Sequence, residues 1–134
     1  MGSATQKGLQ WNSPLSYLGK PVFVSIDRPL GSLHPDHGFI YEVNYGFAPG
    51  ILAPDGEPLD AYVLGIDEPI KEFTGMCIAV IERGDDVESK LVITPEGRMF
   101  SQSEIISLTS FQERYFKVKV VMPGDAEVEP RIIQ

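Results

Sequence analysis

Three carboxylates fall within six residues at Asp55-Gly56-Glu57-Pro58-Leu59-Asp60. Oxygen-only side chains at that density suit a hard divalent cation such as Mg²⁺, or else they face water as an acidic turn. Pro54 and Gly56 impose a turn, Pro58 keeps the following chain extended, and Asp60 opens the run Asp60-Ala61-Tyr62-Val63-Leu64. A turn running into a strand can gather all three acids about one point. Like charges about 4 Å apart repel by roughly 4 kcal/mol per pair at an effective dielectric near 20, enough to raise pKa values or demand a cation. The spacing is not that of an EF-hand calcium loop, whose Gly and terminal Glu positions are missing. The solvated turn stays open as the plain alternative, since Asp-Gly-Glu-Pro is ordinary loop vocabulary.

A second acidic patch, Asp85-Asp86-Val87-Glu88, comes just before Lys90. By itself it reads as a charged hairpin tip that keeps a sheet edge soluble. Together the two patches offer what metal-assisted phosphoryl transfer needs. Carboxylates hold divalent ions that bridge phosphate oxygens and acidify a water, and a cation such as Lys90 rests on the phosphate.

The elements that must carry these residues are mostly strands. Period-two alternation predicts a strand from Val22 that Pro29 stops, and further strands over Phe39–Tyr45, Leu59–Leu64, Met76–Arg83, Lys90–Thr94 and Lys117–Met122. Six short strands with brief turns mean a barrel or a sandwich. Ser101-Gln102-Ser103-Glu104 has the pattern of a capping box, so a helix is expected to begin there. Ile105, Leu108, Phe111 and Tyr115 then form one apolar stripe that would pack on the sheet. The fold class is mainly β (α+β), a small β-barrel carrying one amphipathic helix. Residues 1–20 are expected to be a flexible lead-in, 21–122 the barrel domain and 123–134 an acidic, proline-bounded tail.

With 134 residues the chain is long enough for one domain with a real core and no disulfides. Its charge of -8 and pI near 4.6 oppose nucleic acid and anionic membranes as partners. A phosphate site in so acidic a protein calls for a cation between. Cys77, alone in the run Met76–Ile81, is expected to be buried filler. No stretch approaches a membrane span, and no basic region followed by an apolar stretch opens the chain, so the cytoplasm is the expected location.

Asn44-Tyr45-Gly46, then Asp55-Gly56-Glu57-Pro58-Leu59-Asp60 beginning nine residues past Gly46, then Glu88-Ser89-Lys90-Leu91-Val92, resemble the soluble (family I) inorganic pyrophosphatases in order and spacing. The resemblance runs from about Pro21 to Phe116. It implies a compact OB-like barrel and Mg²⁺-dependent hydrolysis of pyrophosphate to two orthophosphates, with Mn²⁺ as the other candidate ion. It assigns metal binding to Asp55, Glu57, Asp60, Asp85 or Asp86, and Glu88. Glu57 stands where the family has the Asp that helps activate the water. Lys90 would hold phosphate, with Tyr45 and Tyr115 hydrogen-bonding it. Asp27 roughly matches an acid near the family's first strand.

The departures are specific. Glu57 and Glu88 each lengthen an acid by a methylene, and misplacing a reacting group by about 1 Å can cost 10²-fold. Phe116 stands where the family has a lysine. The family's arginine and a lysine-bearing segment before Asn-Tyr-Gly have no clear counterpart. Arg28, His34, His37 and Lys117 are the candidate replacements, against the plain reading of the two histidines as part of an exposed turn. Three functions follow: a diphosphatase, a metal-dependent phosphohydrolase of an organic phosphate or nucleotide, and a non-catalytic phosphate- or metal-binding protein. The partner is a small phosphate substrate, and a homo-oligomer would cover the barrel face that a short C-terminal segment leaves open.

Overall fold

The computed structural model describes residues 13–53, 55–84 and 88–125. Six strands form: β1 (Pro21–Arg28), β2 (Asn44–Leu52), β3 (Pro58–Val63), β4 (Glu72–Arg83), β5 (Ser89–Thr94) and β6 (Val118–Val121). They pair in the order β1-β2-β3-β5-β4-β6, and β1 also pairs with β4. Five strands therefore close into a barrel, and β6 is added outside the ring along β4. The β3–β5 pairing is parallel and the others are antiparallel. Closure removes free edges from the ring, as in an OB-like barrel.

One expected strand is displaced. Phe39-Ile40-Tyr41 reads as a strand by its apolar character, yet this run folds back on the preceding turn: His34 N–H donates to the Phe39 carbonyl and Tyr41 N–H to the Ser32 carbonyl. The strand begins only at Asn44 and continues to Leu52, because it pairs with β3 as far as Leu52 opposite Pro58.

The alternation along the strands builds two cores. Val22, Val24, Leu59, Ala61, Val63, Leu91 and Ile93 fill the barrel interior. Their neighbours Tyr62, Leu64 and Val92 belong to a second layer, with Ile81, Ile105, Phe111 and Val120. Each fully buried aliphatic side chain contributes about 1.5–3 kcal/mol. Cys77 is fully buried in the interior, and burial pushes its thiol up to about 11, which suits inert filler. Leu15, Tyr17 and Leu18, in and after a short 3-10 turn, pack against that interior.

The helix α1 (Gln102–Glu113) starts at the expected cap. The Ser101 hydroxyl accepts from Glu104 N–H at 3.1 Å, and the Glu104 carboxylate accepts from Ser101 N–H at 2.7 Å. Its buried face is not the expected stripe. Ile105 and Phe111 are buried, but Leu108 is 37% and Tyr115 60% exposed, and Thr109, Gln112 and Glu113 are buried in their stead. The helix turns a polar face to the sheet because partners wait there.

Candidate active site

Asn44-Tyr45-Gly46 does three different things in three residues. Asn44 is a clamp: its Oδ1 accepts from Leu30 N–H and Ile70 N–H, and its Nδ2 donates to the Glu68 carbonyl. It thereby ties two loops to the start of β2. Gly46 lies opposite Ile26, and a Cβ there would fall on the Ser25 carbonyl oxygen, so no larger residue lets β1 and β2 approach. Tyr45, between them, belongs to the helix-side layer.

Register brings the charged residues onto this layer. Asp60 pairs with Lys90 across β3 and β5, and Lys90 pairs with Ile81 of β4. Lys90 Nζ donates to Asp60 Oδ2 at 2.7 Å and to Glu88 Oε2 at 3.0 Å. Glu88 Oε1 accepts from Arg83 Nη1 at 2.8 Å, and Arg83 also grips Glu113 of α1 with two bonds of 3.0 and 2.8 Å. Tyr62 O–H donates to Glu113 at 2.6 Å, Gln112 Nε2 donates to the Tyr62 hydroxyl, and Tyr41 O–H donates to Gln112 Oε1. The result is one polar chain from Asp60 to Tyr41 that fastens the helix to the barrel. Lys90 and Arg83 are 3% and 7% exposed, a burial that cations tolerate only when paired and hydrogen-bonded.

These pairings set the protonation states. Burial, then the Asp60 carboxylate, holds the Tyr45 hydroxyl well above its ordinary pKa, so it remains a donor. Burial, then Glu113, does the same for Tyr62. Burial alone would lower the pKa of Arg83, but its bonds to Glu113 and the charge of Glu88 outweigh that and raise it.

Two cavities meet at Asp60. One, of about 750 Å³, is lined by Asp27, Arg28, His34, His37, Phe39, Tyr41, Tyr45, Asp60, Arg83, Lys90, Gln112, Tyr115 and Phe116. The other, of about 450 Å³, has Asp55, Glu57, Asp60 and Glu88 on its wall. Most of the candidate residues thus gather in two adjoining places, one rich in cations and aromatic rings and one rich in acids. Lys117 lines neither, and Asp85 and Asp86 lie outside the described residues. Tyr115 reaches the larger cavity from its rim, and its hydroxyl accepts from Arg114 Nη2. Sequence reasoning missed Arg83, Gln112 and Glu113. A capping-box helix ending in Gln-Glu opposite a strand-end Arg is a faint signal, legible only once the helix is laid on β4.

The acids do not collapse onto a single point. Among the described residues no three of His, Cys, Asp or Glu come close enough to hold a metal together. The reason is local: Asp55 Oδ1 accepts from Glu57 N–H at 2.9 Å, while Asp60 and Glu88 are drawn to Lys90. The set nevertheless fits Mg²⁺, which keeps several waters and takes one or two carboxylates plus substrate phosphates in preference to a protein cage.

Fold and site together describe a small closed barrel whose helix-side face joins an acidic cavity to a cationic one, an arrangement suited to a phosphate anion. No family model matches the chain. It is 34% identical over 81 residues to the inorganic pyrophosphatase of Aeropyrum pernix, covering 57% of this chain and 43% of that protein. Against the inorganic pyrophosphatase of Aquifex pyrophilus it is 30% identical over 90 residues, 60% of this chain and 50% of that one. Over 51 residues it is 43% identical to the Caulobacter vibrioides enzyme of the same name, covering 35% and 29%. The chain thus spans half or less of the length of these curated relatives. The inorganic pyrophosphatase structure from Ehrlichia chaffeensis superposes with a TM-score of 0.63 at 20% identity, covering 83% of this chain and 91% of that one. The Coxiella burnetii structure gives 0.58 at 23%, covering 84% and 92%. At these identities the structures speak for the fold. The chain is thus similar to inorganic pyrophosphatases in sequence over part of its length and in fold over most of it. Among the described residues no helix is long and apolar enough to cross a membrane.

Proposed function

We propose that the chain hydrolyses the phosphoric anhydride bond of inorganic diphosphate, with Mg²⁺ or Mn²⁺ as its ion. One observation carries the reading: the acid-lined and cation-lined cavities share Asp60, and Lys90 is held between Asp60 and Glu88 at their junction. Hydrolysis of a diphosphate asks for cations on the phosphates and acids beside them.

The protein's own groups divide the work. Lys90, with Arg28 on the same wall, draws the anion in and gives part of its pairing to a phosphate oxygen. Tyr45, held protonated by burial and Asp60, donates a hydrogen bond. One or two of Asp55, Glu57, Asp60 and Glu88, with waters and the substrate phosphates, would hold a divalent ion, which would supply charge neutralisation and a more acidic water. Glu57, exposed on the acidic cavity, takes the proton as the water oxygen attacks one phosphorus in line with the bridging oxygen. The bond from that phosphorus to the bridge breaks, and two orthophosphates leave. Phosphate release from inorganic diphosphate, measured with Mg²⁺ and with a chelator in the native chain and in Asp60→Asn, tests the reading. Release that persists undiminished in the variant would move the site away from the junction.

A further inference from the structure

We infer that the larger cavity takes a diphosphate ester whose organic part carries a planar aromatic ring, of the kind a nucleoside 5′-diphosphate has, with that ring lying on a wall of His34, His37, Phe39 and Tyr115. The inference rests on the diphosphatase reading for its chemistry and on separate observations for the ring. Inorganic diphosphate has nine heavy atoms. Even at about 30 Å³ each, the share of a water in the liquid, it takes about 270 Å³. The cavity holds about 750 Å³, within the range of sites that take a drug-sized ligand.

The surplus room is walled by rings. Phe39 stands near-parallel to His37 (14°) and to Tyr115 (22°), each with its centroid 6.2 Å away. These rings are not sealed into the core: Tyr115 is 60% exposed, His37 is exposed and Phe39 half-buried. Rings left open at the mouth of a cavity offer flat faces on which a planar group can stack. The loop also fixes His34. Its Nδ1 accepts from Asp36 N–H at 3.0 Å and His37 N–H at 3.1 Å, so in the neutral ring the proton sits on Nε2, a donor available to a ligand edge.

The wall and the phosphate site open on the same cavity, joined by a run of rings. From Lys90 Nζ to the Tyr45 ring is 5.7 Å, from there to the Tyr41 ring 5.4 Å, and from there to the His34 ring 5.9 Å. Phosphate on Lys90 and a base on the wall would bracket the sugar between them. Water oxygen then bonds to the terminal phosphorus, the bond from that phosphorus to the bridging oxygen breaks, and the bridging oxygen leaves with its electron pair on the nucleoside monophosphate. The water proton passes to Glu57 and on to solvent, and the second product is orthophosphate.

The full chain with Mg²⁺ is assayed for phosphate release from inorganic diphosphate, a purine nucleoside 5′-diphosphate and methyl diphosphate, and the purine protons are followed by NMR as protein is added. Expected are upfield shifts of the purine protons and a kcat/KM for the nucleoside diphosphate well above that for methyl diphosphate. In Phe39→Leu the ratio of those two constants should fall about tenfold, at the modest end of what base stacking contributes. Should that variant fail to fold, His37→Ala, at an exposed position, should lower the ratio in the same direction. Purine shifts without turnover of any substrate would refute the diphosphatase reading and leave the ring site standing. Turnover of inorganic diphosphate with no purine shift, or equal use of the two esters, would overturn the inference and leave the diphosphatase reading intact.

Discussion

Lys90→Met separates a structural role from a catalytic one at the junction of the two cavities. Lys90 is 3% exposed, and its ammonium makes two bonds, 2.7 Å to Asp60 and 3.0 Å to Glu88, whose side chains are 33% and 39% exposed. Fully buried, charge-assisted bonds would contribute about 1.5–3 kcal/mol each. Here both acids are a third or more open to water, so they rehydrate when the cation goes, and methionine refills most of the buried volume. The expected loss of stability is about 1–2 kcal/mol, a fall in Tm of roughly 3–10 °C. Catalysis should suffer far more, because removing one positioned donor from developing charge costs about 10²–10³ in kcat. The assay is initial-rate phosphate release from inorganic diphosphate with Mg²⁺, well below both melting temperatures, alongside thermal melts. A folded Lys90→Met whose kcat/KM stays within about threefold of native, less than ~1 kcal/mol of barrier, would refute the placement of the phosphate on Lys90.

Glu57→Asp shortens the proposed base by one methylene and should keep or raise kcat on inorganic diphosphate; a fall of more than about tenfold in steady-state kinetics would mean the site is built around the longer acid. Glu113→Ala leaves the buried Arg83 guanidinium without its two-pronged partner and should cost about 3–5 kcal/mol in denaturant unfolding, with Arg83→Met/Glu113→Leu recovering much of it. A single-variant loss below about 1 kcal/mol would contradict the fastening role of that pair. Burial, then the neighbouring His37, holds His34 below its usual 6.5 despite the opposing charge of Asp36. The folded chain therefore binds fewer protons here than the unfolded one, so this contribution to stability is present above about pH 6.5 and is lost as pH falls from there through the lowered value. Unfolding midpoints compared from pH 7.5 to 5 should drop more steeply for the native chain than for His34→Ala; parallel curves would contradict it.

The barrel was legible because its strands alternate against short breakers, and the helix start because a capping box needs only four residues. The acidic turn and Lys90 were joined in the sequence by their chemistry and by the resemblance, while the parallel register that sets Asp60 beside Lys90 shows only in the folded sheet. The buried helix face was not, since a pattern of apolar residues cannot reveal that Gln112 and Glu113 have Tyr41, Tyr62 and Arg83 waiting tens of residues away. Nor could apolar character alone tell that Phe39-Ile40-Tyr41 turns back on its own loop. The expectation that Asp55, Glu57 and Asp60 meet at one point missed that Asp60 is also a partner of Lys90; the described acids share a cavity without forming a three-ligand cluster.

Whether this barrel cleaves inorganic diphosphate is read directly by phosphorus NMR of that anion incubated with the folded chain and Mg²⁺. The diphosphate resonance should give way to orthophosphate, two for each diphosphate lost; chelating the cation should stop the conversion and restoring Mg²⁺ should resume it. A diphosphate resonance that persists unchanged with Mg²⁺ and with Mn²⁺, in a sample whose circular dichroism shows the folded chain, would contradict it.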